Sequence, residues 1–129
     1  MSETPLLRAG DNPVIALATE TRFAPNGIVS RTLLDTGNLR LVLFGFDAGQ
    51  ELTEHTSPHH AVIQVLSGSC EFQLAGRPHP LKAGDVLHMP PGLPHAVKAT
   101  ERFSMLLTLG KLAPARPIEG GAATAPAVT

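Results

Sequence analysis

Six histidines carry most of the chemistry that this sequence can offer. His55, His59 and His60 fall within one short stretch, EHTSPHH, and His79, His88 and His95 lie elsewhere along the chain. An imidazole titrates near neutral pH and binds transition metals through either ring nitrogen, so such a set points to proton transfer or to a metal centre. The one thiol, Cys70, sits at an apolar strand-like position with no basic neighbour in sequence and reads as core rather than nucleophile. His79 follows Pro78 in a turn and is expected on the surface.

The elements that must position these residues read as strands. A chain of 129 residues supports one domain with a hydrophobic core. Twelve Gly and twelve Pro divide it into apolar runs of strand rather than helix length. Leu39–Phe46 carries leucines on one parity and Val42, Phe44 and Phe46 on the other, so both of its faces should be covered. Residues 61–66, a turn at Ser67-Gly68 and the return along Ser69–Leu74 read as a hairpin, and Ala75-Gly76 makes a second hairpin turn leading to Pro80-Leu81. Another turn leads into Val86–Met89, a proline-rich loop precedes 95–97, and 103–109 closes the series. No helix is needed, and an all-β sandwich or barrel is the expectation. Residues 1–25 read as an N-terminal extension or edge strand, 26–112 as the barrel, and 113–129 as an Ala/Pro/Gly-rich tail that buries little surface.

Composition narrows the partners. Ten basic and eleven acidic residues leave a net charge of -1 without long runs of either sign, so no nucleic acid is expected to bind. The N-terminus lacks the charged and apolar regions of a signal peptide, and no stretch is apolar for long enough to span a bilayer. With a single cysteine, this leads us to expect a cytoplasmic protein with no membrane contact.

From Gly49 to Gly68 the chain reads GQELTEHTSPHHAVIQVLSG, and from Gly84 to His95 it reads GDVLHMPPGLPH. These resemble the two motifs of the cupin superfamily. Gly49, His55 and Gly68 fill positions of the first, and Gly84, Pro90, Gly92 and His95 fill every defined position of the second. The resemblance, to a small single-domain bacterial cupin, implies an RmlC-like double-stranded β-helix, or jelly-roll barrel, with His55 and His95 brought together inside it. It also implies a metal bound by three ligands from the first motif and one from the second. Here Ser57 stands at the second histidine position and Ala61 at the glutamate position.

A divalent transition metal, by imidazole preference Zn, Fe, Ni, Mn or Cu, would therefore need a replacement ligand beside His55 and His95. His59, His60 and Gln64 are the alternatives. If Ala61 points inward, His59, Ile63 and Val65 share its face and His59 becomes the natural third ligand; a slip of one residue at Pro58 would turn in His60 and Gln64 instead. The first register keeps the Gln64 amide out of the interior. His88 is a weaker candidate for an acid or base in the cavity. Two functions follow: a metal-dependent dioxygenase or isomerase acting on a small molecule, or a metal-free barrel that binds a small ligand and has no catalytic activity. The resemblance and the doubly apolar strand Leu39–Phe46 together imply a homodimer.

Overall fold

The computed structural model describes residues 4–110. The expected tail, 113–129, lies outside the described residues. A single helical turn, α1 (Leu17–Glu20), precedes nine strands: β1 (Ile28–Asp35), β2 (Leu39–Phe46), β3 (Glu51–His55), β4 (His60–Ser67), β5 (Ser69–Leu74), β6 (Arg77–Lys82), β7 (Val86–Met89), β8 (His95–Ala99) and β9 (Phe103–Gly110). They form a five-stranded sheet in the order β1-β2-β9-β4-β7 and a four-stranded sheet in the order β3-β8-β5-β6. All ladders are antiparallel.

The core lies between the sheets. Ala61, Ile63 and Val65 of β4 are buried while His60, Val62 and Gln64 are exposed, the alternation that one buried face imposes. Phe46, Phe72 and Phe103 are almost fully enclosed, with the Phe46 and Phe103 rings stacked at 4.6 Å between centroids. Such an offset pair adds about 0.5–1.5 kcal/mol beyond its buried area.

Two features differ from the sequence expectations. The helical turn α1 forms where none was expected. The segment 61–74 is not a hairpin, because β4 pairs with β7 and β9 whereas β5 pairs with β6 and β8. Gly68, at φ +73, turns the chain from one sheet to the other, and a side chain there would collide with the backbone of Arg102 and Phe103. Only a glycine fits so close a backbone approach. The outer face of β2 is covered, as expected, and in part by its own chain, since the Arg22 carbonyl and the Phe23 ring lie directly over Gly45.

The prolines of β6 are accommodated by position. This strand is the edge of its sheet, where Pro78 and Pro80 need make no bond outward, and among the described residues its only partner strand is β5. At the other edge, β3 contains an irregularity between Leu52 and His55 that controls the interior.

Candidate functional site

Leu52 pairs with Val97, and both line the interior; His55 pairs with His95 three residues along β3 but only two along β8. A regular strand would place Glu54, not His55, on the face of Leu52. The bulge supplies the extra residue that turns His55 inward, a common use of bulges near functional sites. His95 arrives by the opposite route. Pro90-Pro91-Gly92-Leu93 forms a turn closed by the Leu93 N–H donating to the Pro90 carbonyl at 3.3 Å, with Gly92 at φ +83. Proline second and a positive-φ glycine third are what a type II turn demands. The Gly92 N–H donates to the Ser57 carbonyl at 2.8 Å, which ties this loop to the one after His55.

The two imidazole rings meet edge to face, with centroids 4.2 Å apart and planes at 63°. His95 is 8% exposed, and His55 lies at the open end of the cavity. Each ring is tethered in the same way. Nδ1 of His55 donates to the Thr53 carbonyl at 2.7 Å, and Nδ1 of His95 to the Leu93 carbonyl at 2.8 Å. A carbonyl only accepts, so Nδ1 must carry the hydrogen, and either ring in its neutral form has a bare Nε2.

Around them is a cavity of about 170 Å³, walled by Phe44, Ile63, Phe72, Met105, Leu107 and other apolar side chains; among the described residues Ser57 is the one further polar residue in its lining, and no carboxylate lines it. Ala61 is part of the wall, so the position that the resemblance assigns to a ligand glutamate contributes only a methyl group.

The remaining candidates lie elsewhere. His59 precedes β4, is half-buried and does not line the cavity; its backbone N–H donates to Ser57 Oγ at 3.2 Å, and its Nδ1 is buried without a hydrogen-bond partner. His60 and Gln64 are exposed on the outer face of β4. His88, expected as a candidate for the cavity, is exposed on β7, where its Nε2 lies 3.0 Å from Nδ1 of His60. The cross-strand pairing of Val62 with His88 explains this placement, since Val62 faces outward. Cys70 is 1% exposed, and burial, with a smaller contribution from the charge of Asp85, pushes its thiol up to about 12. It has no thiolate to offer at neutral pH.

Among the described residues no three His, Cys, Asp or Glu side chains are grouped closely enough to hold an ion. Two imidazoles fall one short of the three protein ligands that catalytic zinc sites keep. The residues therefore do not fit a tightly held metal in the barrel.

Comparison with known proteins gives a consistent picture. A family model described as the cupin domain matches residues 42–109. A conserved protein of unknown function from Streptococcus pyogenes is 32% identical with a TM-score of 0.76, over 88% of this chain and 98% of that one. A cupin 2 conserved barrel domain protein from Leptotrichia buccalis is 35% identical with a TM-score of 0.70, over 73% of this chain and 46% of that one, so the match spans about half its length. An RmlC-like cupin from Desulfovibrio desulfuricans is 29% identical with a TM-score of 0.64, over 81% of this chain and 96% of that one. No curated protein matches the chain. No helix among the described residues is long and apolar enough to cross a membrane.

Proposed function

Because the chain belongs to the cupin family, whose barrels serve many chemistries, we propose that this one binds a small, mainly apolar molecule in its interior without a resident metal. The observation that carries the proposal is the cavity itself: about 170 Å³ of largely apolar wall with two bare Nε2 atoms as its principal polar groups. An apolar protein cavity of roughly 150 Å³ accommodates benzene, which sets the scale of the occupant. Neutral imidazoles that present acceptors select a hydrogen-bond donor, so a phenol, enol or small alcohol suits the site better than a hydrocarbon of equal size.

A metal-dependent oxygenase or isomerase is the second reading. Its support is the pair of Nδ1 to carbonyl bonds, because a histidine whose outer nitrogen is fixed in this way is oriented to offer the other to a metal. Against it stands the short donor set. We also infer a homodimer in the cytoplasm, supported by the pairing of barrels that membership of the family implies. A monomeric mass by light scattering would remove the dimer.

Calorimetry with phenol-sized ligands and their deoxy analogues tests the main proposal. The hydroxylated member of each pair should bind more tightly, and His95→Ala should erase about a tenfold preference, the worth of one hydrogen bond. Equal binding of both members, or a preference unchanged in His95→Ala, would overturn it. A stoichiometric metal in untagged protein, lost in His55→Ala and His95→Ala, would favour the second reading.

A further inference from the structure

The function proposed above uses two of the six histidines. Two more, His60 and His88, form a separate cluster on the outside of the five-stranded sheet. They lie on neighbouring strands, β4 and the edge strand β7, held in register by the pairing of Val62 with His88. Their rings are within 14° of parallel with centroids 5.3 Å apart, and Nδ1 of His60 is 3.0 Å from Nε2 of His88. This is an edge-to-edge arrangement in which two nitrogens face each other and share one hydrogen.

We propose that His60 and His88 constitute a two-ligand site on the outer sheet face for one exchangeable divalent late transition ion of the copper, nickel or zinc kind per chain, held less tightly than the three-ligand centre that the barrel lacks. Ligand nitrogens about 2.0–2.1 Å from an ion and at adjacent coordination positions lie roughly 3 Å from one another, close to the separation already present. Both side chains are exposed, so small rotations can turn the two lone pairs toward a common point, and the ion replaces the shared hydrogen. The paired backbones fix the spacing in advance, which reduces the ordering that binding would otherwise require. The outward neighbours on these two strands, Val62, Gln64 and Val86, carry no charge, so none of them repels a cation. Imidazole selects late transition metals over magnesium and calcium. With no third His, Cys, Asp or Glu in range among the described residues, water completes the coordination and leaves positions open to an exchangeable ligand.

The test uses untagged full-length protein carrying His55→Gln and His95→Gln, which removes the barrel imidazoles. Titration with nickel(II) and copper(II) alone should show one ion per chain, and electron paramagnetic resonance of the copper form should show two coordinated nitrogens. Adding either His60→Gln or His88→Gln should weaken binding at least tenfold, with circular dichroism unchanged because both positions are exposed. His79→Gln, on the exposed edge strand β6, should leave binding as it was. Binding that disappears with the barrel substitutions alone, or that persists undiminished in both outer variants, would overturn the proposal. Failure here leaves the interior site untouched, because the two pairs share no residue.

Discussion

The inner and outer histidine pairs are built from the same residue type on adjacent antiparallel strands, yet they are prepared for different tasks. His55 and His95 each spend Nδ1 on the carbonyl two residues upstream, so both Nε2 atoms remain free on two residues that line a largely apolar cavity. His60 and His88 spend their nitrogens on each other in the open. Backbone tethers make the inner rings fixed acceptors, whereas the outer rings, among the described residues, bond to one another and can exchange that bond for a better partner. The difference teaches that strand parity, one bulge and two carbonyls decide which imidazoles meet a ligand; the presence of histidine does not.

The parity that separates the pairs can be tested at consecutive residues. Ile63→Ala removes a side chain that is 1% exposed and walls the cavity, and should cost about 2–5 kcal/mol of unfolding free energy by denaturant titration. Val62→Ala, on the outer face at 37% exposure, should cost only about 0.5 kcal/mol. Equal losses would break the assignment of faces.

Adding a carboxylate sharpens the same contrast. Ala61→Glu places an acid in the cavity wall beside the inner pair, where it should lower stability by several kcal/mol without metal. In a His60→Gln background it should raise nickel(II) affinity by at least about tenfold, because it restores a third ligand. No gain would mean that the Nε2 atoms do not converge on the space Ala61 leaves.

Smaller effects concern how the inner pair is held. Gly92→Ala meets no neighbouring atom, so its cost is that of the positive φ alone, roughly 1–2 kcal/mol, with weakened ligand binding as the turn before His95 relaxes. The least effect is expected for Cys70. Its folded value near 12 lies above the ordinary 9.0, so the stability from keeping it a neutral thiol is complete below pH 9 and is lost as pH rises toward 12. At pH 8, labelling by a thiol reagent should follow the unfolding rate; rapid labelling would show that the residue is not enclosed.

The sequence revealed much of this because the barrel relies on local signals. Val86–Met89 and Ser69–Leu74 were bounded by glycine and proline turns that sequence periodicity resolves, and the alternation of Ala61, Ile63 and Val65 against Gln64 set the inward register. That His55 and His95 come together is what the resemblance to the cupin motifs implies, and the two residues are cross-strand neighbours on β3 and β8. What stayed hidden was non-local. Gly68 looks like a hairpin turn until the backbone of Arg102 and Phe103, far along the chain, is seen to press against it. The bulge before His55 leaves no mark in ELTEH, since none of those residues is a glycine that would signal it. His88 looked available to the cavity only because sequence alone could not give its parity relative to Val62.

The proposed binding site depends on the Nε2 atoms of His55 and His95 carrying no hydrogen, and long-range nitrogen–proton correlation spectra of the imidazole rings in ligand-free protein read this directly. At a pH where the rings are neutral, His55 and His95 should both show the hydrogen on Nδ1 and a bare Nε2. A hydrogen on Nε2 of either ring would contradict the tethers, and with them the acceptor pair on which the binding site depends.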